Sequence, residues 1–316
     1  MRRHEPDWAA LEQSLARDAS SAEAQALPAR YRHACQHLAL ARERHYPPAL
    51  VERLNRLVVQ AHHRLYRARE PLAGQVSQFL LQDFPALVRR HGRVFALAAL
   101  CFYGAFVAIA LAVQWQPSLV YSVLDASQVR EFEQMYDPSR RSIGHSRDGA
   151  SDFLMFGYYI RNNIGIGFQT FAGGMLAGVG SLGILLFNGI TIGAVAGHLT
   201  RIGYGDTFWS FVSGHGAFEL TAIVLCGMAG LMLGRALVAP GRLRRSEALR
   251  LAARSAVRIL YGATLMLVLA AVLEAFWSSS TAIPVPVKFG VAALLWLGTA
   301  AYFLLAGRQE VADAPR

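Results

Sequence analysis

Lysine is almost missing from this 316-residue sequence: of 31 basic residues all but Lys288 are arginine, and against 21 acidic residues they leave a net charge of +10. Charge of this kind suits nucleic acid only on a basic face of a recognisable binding fold, and none is present, so the arginines read as membrane-flanking loops that obey the positive-inside rule. Cysteine is scarce too. Cys35, Cys101 and Cys226 form no CxxC, and two of them lie in apolar runs, which argues against a disulfide framework or a zinc knuckle. There is no GxxxxGK[ST], no GxSxG and no GxGxxG after a strand, so phosphate-loop, serine-hydrolase and dinucleotide chemistry have no support. Ser213-Gly214-His215 is not a nucleophile setting. The opening MRRHEPDWAALEQ has no apolar core after its arginines. It is not expected to be a secretory signal, and insertion is expected to be driven by internal spans.

What is present is apolar surface: 54% of residues are hydrophobic, and the mean hydropathy is +0.30. That balance suits a polar part joined to several membrane spans. Residues 1–73 read as a cytoplasmic helical domain. Trp8, Leu11 and Leu15 share a face. Leu27, Tyr31, Cys35 and Leu38 form a second stripe that ends at Pro47-Pro48, and Val51, Leu54, Leu57, Val58, Ala61 and Leu65 form a third. Two such stripes across a short turn imply an antiparallel hairpin. The opposite faces carry Arg42, Arg44, Arg53, Arg56, Arg64, Arg67 and Arg69, and the adjacent His62 and His63 point apart and read as structural. Residues 74–93 read as an amphipathic helix. It either lies on the inner leaflet with its arginines near lipid phosphates or joins the helical domain as a further member.

Residues 94–306 read as a transmembrane bundle. A span over 94–116 is followed by a mixed-charge loop, 117–157, which includes Arg140, Arg141, Arg147 and Asp148. The 36 residues from 164 to 199 are too long for one crossing, since a single helix would run roughly 54 Å against an apolar core of about 30 Å. A fold-back near Gly178–Ser181 follows. Further spans fall at 216–238, 257–276 and 287–306, with an arginine-rich segment at 239–256, and a short cytoplasmic tail occupies 307–316. Loop charge places 117–157 outside and 239–256 inside, so an odd number of crossings separates them. Six spans satisfy this, as do four plus a re-entrant hairpin. Either way the fold is all-α, a polytopic membrane bundle with both termini in the cytoplasm.

The candidate site residues are polar groups in this apolar setting, where an ionisable side chain marks function by default. Asn162, Asn163, Asn188, His215, Glu219 and Glu274 are the candidates for ligand or proton handling, with Arg161 and His198 nearby in sequence. Except for Asn188, at mid-depth, they map to the outer side. His215 and Glu219 are four apart and share a helix face. They could handle a proton, or hold a metal if His198 or Glu274 supplied a third ligand. No metal or cofactor is assigned on this pattern. Glu219 in the first turn of its span would also complement the helix dipole, and Asn188 would bond across to another helix or to exposed backbone. The recurrent glycines of 165–197 read as close helix packing.

The runs YYIRNNIGIGF, FAGGMLAGVGSLGILLFNGITIGAVAG and SGHGAFELTAI, followed by a basic PGR loop, resemble the stage II sporulation protein M family. The resemblance takes in most of the chain, including the soluble helices and FLLQDFPALVRR, and Asn162, Asn163, Asn188, Gly189, His215, Gly216 and Glu219 match its most distinctive positions. SGHG stands where the family often has a proline before its histidine. The resemblance implies a multi-pass protein of the bacterial cytoplasmic (inner) membrane. In sporulating bacteria the namesake anchors a complex with peptidoglycan-degrading partners. Three readings follow: a non-enzymatic scaffold that recruits an envelope complex, docking through the helical domain and the 117–157 loop; a permease or lipid- or proton-handling protein; and an intramembrane metalloenzyme. Expected partners are membrane lipids, an envelope protein complex and a second copy of the chain, and not nucleic acid.

Overall fold

The computed structural model describes residues 4–16, 21–66, 72–139, 152–280 and 282–308. Arg67, Arg69, Arg140, Arg141, Arg147, Asp148 and nearly all of the tail lie outside the described residues. Of the described residues 88% are helical and none is in a strand, and the chain divides into two compact units, Met1–Val76 and Ser77–Arg316.

The first unit has three helices where the two strongest stripes alone imply a hairpin: α1 (Glu5–Ala16), α2 (Ser21–Glu43) and α3 (Pro48–Tyr66). Trp8 and Leu11 of α1 are buried with Leu27, Ala34, Leu38, Leu54, Leu57 and Ala61, so α1 completes the core that α2 and α3 begin. The Trp8 indole donates to His37 Nδ1 at 3.1 Å. Arg53 on α3 reaches back to α1, donating to Glu12 at 2.9 Å and also to Glu5, and its guanidinium holds the Glu12 carboxyl below the usual carboxylate range. His62 sits 3.1 Å from the Tyr31 hydroxyl, in keeping with a structural role.

α4 (Leu72–Gln78) crosses the division at Val76, and in the second unit a π turn, Phe79–Asp83, leads into α5 (Phe84–Arg90). Phe84, Pro85, Leu87 and Val88 of α5 are buried. Their partners are other helices of the unit. The Phe84 ring lies over Gly262 and edge-on to Phe303, with centroids 5.5 Å apart. Arg89 donates to the Phe303 carbonyl at 2.8 Å. The apolar face of α5 is therefore covered by protein, whereas Val76 and Leu81 before it are exposed.

Five helices among the described residues are long and apolar enough to cross a membrane: Gly92–Trp115, which combines α6 (Gly92–Ala99) and α7 (Ala105–Trp115) around a π turn; α10 (Val179–Arg201); α11 (Gly205–Val238); Arg245–Ser278, which is α12 (Arg245–Val272) plus a π turn; and α13 (Val285–Leu305). Outside these five, α9 (Asp152–Ala172) has 21 residues, enough for about 31 Å. Its Arg161, Asn162, Asn163 and Gln169 make it more polar than the other five. Between α9 and α10 the chain reverses through Ala177 and Gly178, at φ 55° and 84°, where the fold-back was expected. The two arms are full helices of 21 and 23 residues.

Two boundaries differ from the sequence reading. The helix placed at 216–238 begins at Gly205 and runs for 34 residues. The arginine-rich segment after it is mostly helical, because α12 starts at Arg245. In both cases polar residues extend a helix beyond its apolar stretch, and a hydropathy window reports only that stretch.

α11 is the central helix, with 78% of its most apolar window buried. Against the α6–α7 helix, α10 presents Gly189, Gly193 and Gly197 in register. A Cβ at these positions would lie 2.4, 2.4 and 2.7 Å from the carbonyl oxygens of Phe102, Phe106 and Ala110. Only hydrogen fits, and the two backbones meet as they do in small-residue membrane seams. Gly193→Ala is therefore expected to destabilise the bundle by about 1–3 kcal/mol, the range for overpacking. Gly165→Ala, which meets nothing within 4 Å, should be neutral or stabilising by up to about 1 kcal/mol. Thermal unfolding in detergent checks the pair, and equal midpoints for the two variants would contradict the seam.

Candidate functional site

The site forms where α9, α11 and the end of α12 meet. Helical spacing puts His215 and Glu219 on one face of α11, and the π turn Leu273–Ser278 brings Glu274 and Ser278 to the same place. One ligand atom from each of His215, Glu219 and Glu274 lies within 4.8 Å of the other two. His215 is 4% exposed. Its Nδ1 is 3.0 Å from the Ser278 hydroxyl, which turns Nε2 towards Glu219, 3.7 Å away. From α9, Asn163 donates to Glu274 at 3.5 Å, and Asn162 donates to Asn163 at 3.1 Å. Lys288 of α13 is buried and donates to the Ser278 carbonyl at 2.7 Å. The lone lysine thus holds the strand of contacts that orients the histidine.

A cap covers this end of the bundle. The 3-10 turn Pro117–Ser122 and α8 (Ala126–Tyr136) bury Val120, Leu124, Val129 and Tyr136 against Leu199, Phe208 and Phe211. α8 starts at a capping box: Asp125 accepts from the backbone N–H groups of Ser127 and Gln128 at 2.8 and 2.9 Å, and the Gln128 side chain accepts from Asp125 N–H at 3.0 Å. It ends at Tyr136, whose ring stands edge-on to Phe211, which is edge-on to His215. Burial, with the negative charge of Glu274 nearby, pushes the Tyr136 phenol above its ordinary range. His198 clasps the cap, with Nε2 2.7 Å from Glu133 Oε1.

The candidates therefore separate. Asn163, His215, Glu219 and Glu274 come together, and Asn162 joins through Asn163. Asn188 takes no part in these contacts. It donates to the Ile184 carbonyl of its own helix at 2.8 Å, so its amide is satisfied locally and not across helices. His198 is not grouped with His215, Glu219 and Glu274; its Nε2 engages Glu133 instead. Arg161 is exposed on α9. The helix-dipole reading of Glu219 also fails: 14 residues into α11, it is about 21 Å from the helix start, beyond the reach of the first-turn effect. Sequence reasoning missed Ser278, Lys288, Glu133 and Tyr136. The isolation of Lys288 among 31 basic residues, at the start of an apolar span, was the available signal.

Fold and site together define a polytopic all-α membrane protein with a His–Glu–Glu cluster inside the bundle, beneath a helical cap. Residues 96–279 match the family described as Stage II sporulation protein M, and the chain belongs to that family. The match leaves out the soluble helices and FLLQDFPALVRR. Residues 1–67 match instead a domain of unknown function (DUF8413). No curated protein and no solved structure matches the chain.

The His198–Glu133 clasp makes a measurable demand. A hydrogen bond to a charged group contributes about 1.5–3 kcal/mol, so His198→Ala should speed amide exchange across 126–136 at least about tenfold while leaving α11 protected. Unchanged exchange in α8 would show that another contact holds the cap.

Proposed function

We propose that this protein is a cation-handling membrane protein of permease type, with His215, Glu219 and Glu274 as its binding site. The observation that carries this reading is the convergence of an imidazole and two carboxylates from different helices within 4.8 Å inside an apolar bundle. Packing alone gives no reason for such a group, since each buried ionised group costs several kcal/mol unless it is compensated. Glu219 has a side-chain exposure of 16%, so its carboxylate is not sealed entirely within protein despite its place in the central helix. Loop charge supports an orientation in the bacterial inner membrane with the cap outside and both termini in the cytoplasm. The scaffold reading draws less support. Its outer docking surface is the 117–157 loop, and in the described part of that loop Val120, Leu124, Val129 and Tyr136 face the bundle.

The test is transport by the full chain in proteoliposomes carrying a pH-sensitive and a zinc-sensitive dye. Wild type should move cations down an imposed gradient. Glu219→Gln should slow this at least about tenfold with abundance and melting temperature retained, because an amide of the same shape relieves the repulsion between two neighbouring carboxylates. Equal rates for the two proteins would overturn the reading, as would no flux above that of empty vesicles.

A further inference from the structure

Resting on the reading that this cluster is the working site, the geometry points to a divalent transition-metal ion, of the Zn²⁺ class, bound by His215 Nε2 and one carboxylate oxygen each from Glu219 and Glu274. Three independent features support it. The first is charge. With both carboxylates ionised and the imidazole neutral the group totals −2, which one divalent cation brings to neutrality and protons match only if both carboxylates take one. Lys288 is directed to the Ser278 carbonyl. The second is the state of the histidine. Its ring is more than nine-tenths buried, Nδ1 is fixed by Ser278, and Nε2 faces Glu219 at 3.7 Å, too long for a hydrogen bond. An imidazole oriented through one nitrogen, with the other directed at carboxylates, is the arrangement metal-binding histidines adopt. The third is spacing. Donors 2.0–2.2 Å from a tetrahedral zinc lie about 3.4 Å apart, and the present atoms, 3.7 Å for the His–Glu219 pair and all within 4.8 Å, reach that by side-chain movement of about 1 Å.

The donor set also limits the ion. Mg²⁺ and Ca²⁺ take six or more oxygens, whereas one imidazole with two carboxylates suits first-row transition ions. Three protein ligands leave a coordination position open, as in sites whose metal exchanges or binds a further group. Asn163 stands behind Glu274 as its orienting partner.

The experiment is equilibrium metal binding to the tag-free full chain in detergent, by calorimetry and by elemental analysis after dialysis. Wild type should hold one Zn²⁺ that Glu219→Gln and Glu274→Gln each weaken at least about tenfold. Asn188→Ala, outside the cluster, should bind as wild type does. The stoichiometric comparison allows for ions on the histidines of the first unit, since those are common to all variants. No Zn²⁺ difference between wild type and the Glu→Gln variants would overturn the assignment, as would tighter binding of Mg²⁺ than Zn²⁺. Cation flux in proteoliposomes without such binding would reject the metal while leaving the transport reading standing. Binding without flux would do the reverse.

Discussion

The structure depends on one electrostatic constraint: two carboxylates and an imidazole lie inside a helix bundle whose interior is mostly apolar. Ions removed from water are tolerated only with compensating charge and hydrogen bonds. Around the cluster, each neighbouring element supplies part of that compensation. α9 brings Asn163 to Glu274, the π turn after α12 brings Ser278 to His215, and α13 anchors that turn through Lys288. A π turn is a common device where a helix must present a functional side chain off its regular register, and here it places Glu274 opposite Glu219.

Close packing makes this arrangement rigid. The glycine seam between α10 and the α6–α7 helix fixes α10, and α10 carries His198, which fixes the cap. Tyr136 and Phe211 of the cap and α11 then stand between His215 and the bundle end. Packing, cap and site thus form one chain of contacts. α5 acts at another place in the same unit, where Phe84 packs on Gly262 and Phe303.

Features governed by local or length constraints were legible in the sequence. The reversal at Gly178 follows from an apolar tract too long for one crossing and from a residue that accepts positive φ. His215 and Glu219 share a face by spacing alone. Features that depend on tertiary placement were not legible. The residues GDTFWSFVSGH fall outside the span placed at 216–238 because they are not uniformly apolar, yet they are helical from Gly205, with α8 packed over Phe208 and Phe211. His198 looked like a ligand because it lies in an apolar span, and its partner Glu133 is 65 residues away. Lys288 is invisible to motif reading, since its partner is a backbone carbonyl. In the first unit, α1 has a short stripe that shows its worth only when Trp8 fills the gap between α2 and α3.

A divalent cation is the proposed neutralising charge of the buried His–Glu–Glu cluster. X-ray absorption at the zinc edge, on full-chain protein holding one Zn²⁺, tests it most directly. The expected spectrum has a first shell of nitrogen and oxygen scatterers at about 2.0–2.2 Å with coordination near four and an imidazole signature that His215→Ala removes. A shell containing sulfur at about 2.3 Å, or an imidazole signature unchanged in His215→Ala, would contradict it.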